Sequence, residues 1–252
     1  MIYIASLFFV TATLTPNQAM EIGVKVWQNE CAGTLEGLTC WNEGEEFASL
    51  GIGHFIWYPP HKNGPYIATF PELVRFLAEK GVNIPRWLLE AHGCPWKNRE
   101  QFRRALQIHS KQMMEIRRLL QNTIELQAQF LHLRLERALP SLLAAVPDEK
   151  KNKIQTLYER VCAHPNGHYA LLDYVNFKGY GTSEGERYNG WGWGLYQVLD
   201  NMVDDLQTDS VQAFVDSAKK ILEQRISNAP SIRNEQRYLN GWYHRLDSYL
   251  AK

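Results

Sequence analysis

The chain lacks an excess of either charge: its 27 basic residues balance its 27 acidic ones. No basic stripe stands out, so nucleic acid is not expected as a partner. Metal-ligand spacing such as Cys-x-x-Cys is missing from its four cysteines, so no zinc or other metal site is expected. No apolar run reaches the roughly 20 residues that a stable membrane span needs. Internal repeats and low-complexity linkers are also missing, and 252 residues suffice for one sizeable core or two lobes.

The longest apolar run, Met1 to Thr15, is uncharged and broken by Pro16-Asn17-Gln18-Ala19. It has the look of a secretory h-region followed by a small residue at a cleavage point. Residues 1–19 are therefore read as a signal peptide, and the protein as secreted or periplasmic. A buried N-terminal strand or helix is the other reading. Cys31 and Cys40 suit export, since a disulfide across so short a loop would stabilise by about 2.7 kcal/mol on the loop-entropy model. Cys94 and Cys162 are the remaining pair, with four buried thiols as the alternative.

Apolar spacing organises the rest. Ile22, Val26 and Trp27 share one face of a short helix ending near Glu30. The next stretch carries Gly33, Gly37, Gly44, Gly51 and Gly53 without helical periodicity, and reads as turns and short strands. Tyr58-Pro59-Pro60 closes it. From Phe70 the period becomes helical, with Pro71 in a first turn and Leu73, Phe76 and Leu77 at i, i+3, i+4. Pro85 starts another helix. One long helix is expected from Arg99 to Leu120, and another from Ile124 to Leu139 with Pro140 kinking or restarting it. Two apolar stripes, Val211 to Leu222 and Tyr238 to Tyr249, predict closing helices separated by Pro230. The fold class that follows is α+β and predominantly helical.

Chemistry concentrates between Glu30 and His54. A carboxyl at a helix end beside a hairpin, partly withdrawn from water, suits a general acid. Glu43 lies in a polar stretch where a second carboxylate could act, with Glu45 and Glu46 as competitors. Ser49 can orient a water, Gly51 and Gly53 permit tight turns beside a ligand, and His54 suits bracing the hairpin. Paired carboxylates of this kind break glycosidic bonds, with inversion at about 6.5–9.5 Å separation and retention at about 5–5.5 Å.

With Gly51-Ile52-Gly53-His54 behind it, this segment resembles the active-site hairpin of phage-type (T4-like) lysozymes. Glu30 falls on that family's catalytic Glu, Glu43 on its Asp and Ser49 on its Thr, with about four residues inserted between the two carboxylates. Ala170 to Gly179 is similar to the family's central core helix and the turn after it. Asn228-Ala229-Pro230-Ser231-Ile232-Arg233 is similar to its Pro-Arg turn, which implies that Arg233 lies beside the catalytic Glu.

The resemblance implies a two-lobed, lysozyme-like fold over residues 20–252, with a small N-terminal hairpin lobe and an elaborated helical middle at about 70–165. It also implies cleavage of β-1,4 bonds in peptidoglycan without a cofactor. A non-catalytic glycan-binding protein and a chitosan- or chitin-cleaving enzyme are the alternatives. Tyr188 to Gly194, with Trp191 and Trp193, reads either as a sugar-stacking wall or as a helix–loop–helix junction. Trp57 beside the hairpin and Asn176 on the core helix are further candidates for substrate contact or support.

Overall fold

The structure, a computed structural model, describes residues 14–64 and 66–251. Helices make up most of it, and its strands form two small antiparallel sheets, so the expected mainly helical α+β class is the one observed. Most of the expected signal peptide, positions 1–13, lies outside the described residues. Pro16 to Ala19 forms the first turn of α1 (Pro16–Cys31). Thr15 caps that turn, its Oγ1 accepting from Gln18 N at 3.3 Å while Gln18 Oε1 accepts from Thr15 N at 3.0 Å. Proline at the first helical position costs no hydrogen bond, which is why the apolar run breaks there.

Helix α1 buries Ala19, Ile22, Gly23 and Val26 against α6 (Ile124–Ala145). A Cβ at Gly23 would meet Ile124 Cγ2 at 2.9 Å, so glycine sets the close approach of the two helices. α1 ends at Ala32, whose φ of 50° turns the chain toward the first sheet.

That sheet orders β1 (Thr39–Cys40), β2 (Ala48–Leu50) and β3 (Phe55–Trp57), with Ser49 opposite both Cys40 and Ile56. The turn between β2 and β3 is the Gly51 to His54 motif. It is clamped to α6: Ile52 is fully buried, and its amide donates to Gln127 Oε1 at 3.0 Å. Gln127 Nε2 donates in turn to Leu120 O at 2.7 Å, so a fully buried amide side chain is satisfied at both ends. The glycines therefore serve the seating of the hairpin on α6.

The helices α2 (Phe70–Glu79) and α3 (Arg86–Leu89) begin at their prolines as expected. The long helix expected from Arg99 to Leu120 is instead two, α4 (Arg99–Gln107) and α5 (Lys111–Gln121). His109 between them takes a φ of 47°, and Ser110 caps α5 by accepting from Met113 N at 3.4 Å. Pro140 lies inside α6, which continues past it, with Leu139 and Leu142 buried on either side.

Beyond α6 come α7 (Asp148–Ala163) and the core helix α8 (Gly167–Lys178), in which Tyr169 to Tyr174 are all buried. Then β4 (Arg187–Tyr188) and β5 (Trp191–Gly192) form a hairpin where a sugar-stacking wall or a helix junction was expected. Its turn is Asn189-Gly190, with φ values of 50° and 81°, the left-handed pair that tight hairpins favour. Helices α9 (Leu195–Asn201), α10 (Ser210–Asn228) and α11 (Leu239–Asp247) complete the body. Among the described residues, no helix is long and apolar enough to cross a membrane.

Candidate functional site

A cleft of about 460 Å³ opens between the first hairpin, α6 and the C-terminal end of α8. Its polar lining includes Glu30, His54, Arg134, Asn176, Tyr180 and Glu186. Glu30 reaches it from the last turn of α1, with its side chain 14 % exposed.

Two side chains hold that carboxylate. His54 Nδ1 stands 3.3 Å from Glu30 Oε2, and Arg245 Nη2 donates to Oε1. Arg245 also grips Asp173 of α8, through Nε at 2.7 Å and Nη2 at 2.9 Å. Asp173 is fully buried and accepts further bonds from Tyr249 OH at 2.6 Å and Asn29 Nδ2 at 3.3 Å. Burial works against the charge on Arg245, but the facing Asp173 and Glu30 outweigh it and keep the guanidinium protonated. A single arginine thus ties α1, α8 and α11 together at the base of the cleft. Charge-assisted, two-point bonding of this sort fixes orientation as well as energy.

His54 has a socket of its own. Its φ is 46°, and Nε2 lies 3.8 Å from both Cys31 Sγ and Cys40 Sγ. The expected Cys31–Cys40 disulfide is not formed: both cysteines are free thiols, with the same imidazole nitrogen beside each. Each thiol is aimed at a hairpin carbonyl instead, Cys31 at Gly51 O and Cys40 at Ser49 O. Cys94 and Cys162 are free thiols too, Cys94 with its amide on Tyr58 O and Cys162 in α7 beside Tyr158. Burial, then the charges of Glu30 and Cys40, pushes the Cys31 thiol up to about 12. Burial, then Glu45 and Glu30, pushes Cys40 up to about 11. Both remain protonated at neutral pH and act as neutral packing around the ring.

Of the residues singled out in the sequence, the structure brings Glu30, His54 and Asn176 together on this cleft. It does not bring Glu43 or Ser49 there. Glu43 is exposed in the turn before β2, and Ser49 is buried inside that central strand. Glu45 accepts from Asn42 and Glu46 pairs with Lys62, both in the same outer loop region. Trp57 is a core residue, 3 % exposed and packed on Phe70 with ring centroids 4.8 Å apart. Trp191 projects from the second hairpin at 56 % exposure, outside the cleft lining.

Arg233 is exposed and stands over the Tyr188 ring, 5.6 Å from its centroid. The arginine at Glu30 is Arg245, twelve positions further on in α11. The turn around Pro230 is formed, but it delivers its arginine to the second hairpin. Sequence reasoning missed Arg245, Asp173 and Glu186. Asp173 left one signal: it is a lone acid in the otherwise apolar run Ala170 to Val175.

Comparison of the chain with protein-family models, with curated proteins and with solved structures gives no match in any of the three.

Proposed function

We propose that this cleft hydrolyses β-1,4 glycosidic bonds of an amino-sugar polymer, with peptidoglycan as the substrate and Glu30 as the general acid. The observation that carries the reading is Glu30 itself: a mostly buried carboxyl at a helix end, braced from two sides and open to a cleft of about 460 Å³. Asp173 takes two of Arg245's hydrogen bonds, so the guanidinium is shared between two carboxyl groups. In this reading Glu30 delivers a proton to the leaving oxygen while His54 and Arg245 keep its direction fixed. Asn176 is placed to hydrogen-bond a sugar hydroxyl or N-acyl group. The chemistry requires no cofactor.

The likeness to phage-type lysozymes supports the reading in outline: a Glu ending the first helix, a small hairpin sheet after it, and a buried central helix behind. Peptidoglycan lies outside the cytoplasm, so an exported protein fits this substrate. One observation favours a second reading, a glycan-binding protein that does not cut. The residues falling on the family's Asp and Thr, Glu43 and Ser49, do not line the cleft.

Reducing-end release from purified peptidoglycan, with chitosan in parallel, separates these readings. Wild-type protein should release ends, and Glu30→Gln should lower the rate by at least about a hundredfold. Activity that survives in Glu30→Gln would move the acid elsewhere. A wild-type protein that binds polymer yet releases nothing would leave the binding module.

A further inference from the structure

We propose that Glu186 is the second carboxylate of the cleft, the base that takes a proton from the attacking water; this rests on the glycosidase reading above. Glu30 and Glu186 are the two carboxylates among the lining residues, with Asn176, Gly179 and Tyr180 also on the wall.

The loop holding Glu186 is built around its side chain. Oε2 accepts from Gly181 N at 2.8 Å and from Ser183 N at 3.2 Å, while Oε1 accepts no hydrogen bond among the described residues. One oxygen is thus anchored by two amides, and the other, seated against Gly179, is the one left to meet a ligand. Gly179, at the end of α8 with a φ of 81°, makes room: a Cβ there would overlap the Glu186 carboxylate. Gly181, with a φ of 79°, makes the same room for Gln197, whose Nε2 donates to Gly181 O at 2.9 Å. Gln197 Oε1 accepts from Gly194 N at 3.0 Å, tying the loop to the start of α9.

This carboxylate also sits at the C-terminal end of α8, where the helix dipole disfavours negative charge. The same side chain caps the turn at Ser183, and Gly179 makes room for it, so its second oxygen is held on the cleft wall where a base could act.

Glu30 gives its proton to the glycosidic oxygen, and the bond from C1 breaks with its electron pair going to that oxygen. Water attacks C1 from the opposite face, and its proton passes to Glu186 Oε1. Exchange with solvent then returns Glu30 to its acid form and Glu186 to its carboxylate form. The product has inverted configuration.

The test compares wild-type protein, Glu30→Gln, Glu186→Gln and Glu184→Gln on the polymer that the wild type cleaves. Glutamine at 186 keeps an oxygen for Gly181 N and Ser183 N, so the loop should hold, and unchanged thermal melting checks this. Glu184, exposed on the same turn, controls for disturbance of that turn. Glu186→Gln should lose at least about a hundredfold in kcat with KM little changed. Sodium azide, which needs no base, should restore turnover of Glu186→Gln and give a glycosyl azide of inverted configuration. Glu184→Gln should match wild type. An active Glu186→Gln beside a dead Glu30→Gln would overturn the assignment while leaving the glycosidase reading intact. Azide that rescues nothing, with activity lost equally in Glu184→Gln, would reduce Glu186 to a loop support. A silent wild type would remove the reading and the assignment together.

Discussion

Asp173→Ala should cost about 3–5 kcal/mol of folding stability, the range for breaking a buried ion pair by removing one partner. Asp173 has no solvent exposure and serves four hydrogen bonds, two of them from Arg245. Its loss removes one of the two carboxylates that hold a guanidinium deep in the protein. Glu30 alone is then left to balance Arg245, and drawing Arg245 toward Glu30 would disturb the cleft. Tyr249 OH and Asn29 Nδ2 lose an acceptor as well, which adds an unsatisfied-donor penalty. Asp173→Asn keeps the shape and one acceptor, so it should lose less. Urea unfolding with a common slope gives the comparison directly. A change below about 1 kcal/mol for Asp173→Ala would mean that the network is not the clamp described here.

Lys178→Met should have the opposite sign. The Lys178 side chain is 8 % exposed, with its ammonium nitrogen 3.6 Å from the centroid of a Trp242 ring and 3.9 Å from that of Phe177. Burial above all, then the nearby Arg225 and Arg245, brings it down to about 6, against smaller upward pulls from Glu235 and Glu30. A base with a lowered folded value binds its proton more weakly when folded than when unfolded. It therefore costs stability in full below about pH 6, and that cost lifts as pH rises toward the unfolded value of 10.5. Methionine removes the cost and keeps the stem volume. At pH 7 the gain should be about 2–4 kcal/mol, since each pKa unit corresponds to about 1.4 kcal/mol and surrounding relaxation returns part of it. Wild-type stability should climb between pH 6 and 9 by more than that of the variant. Thermal melts at the two pH values read this out, and destabilisation by Lys178→Met at pH 7 would show that the amine makes a contact the protein needs.

Elements with their own local signals were legible in the sequence. Pro71 and the Leu73, Phe76, Leu77 stripe gave α2, and Val211 to Leu222 gave α10, because one apolar face and one start signal suffice for a helix. The break between α4 and α5 was hidden by the stripe running through it. Only Ser110, a capping residue, and His109, in a left-handed conformation, mark that break. The second hairpin had an Asn-Gly signal that the surrounding tryptophans obscured.

Within the site, Glu30 and His54 were legible because the helix end and the hairpin turn are local. Arg245 was not, being 215 residues from Glu30 along the chain, and no periodicity encodes a contact made that late. Arg233 was chosen in its place because a motif fixes order along the sequence, whereas the fold decides which arginine on which helix reaches the acid. Glu43 failed to reach the cleft for a similar reason: it lies exposed in the turn before β2, and a motif does not fix which way that turn faces.

The most direct measurement of the central claim is mass spectrometry of the fragments released when the protein is incubated with purified peptidoglycan in ¹⁸O-labelled water. Hydrolysis in this cleft predicts soluble fragments carrying one ¹⁸O at each new reducing end, and none from Glu30→Gln. Unlabelled anhydro ends, or no fragments at all from a protein that remains bound to the polymer, would contradict it.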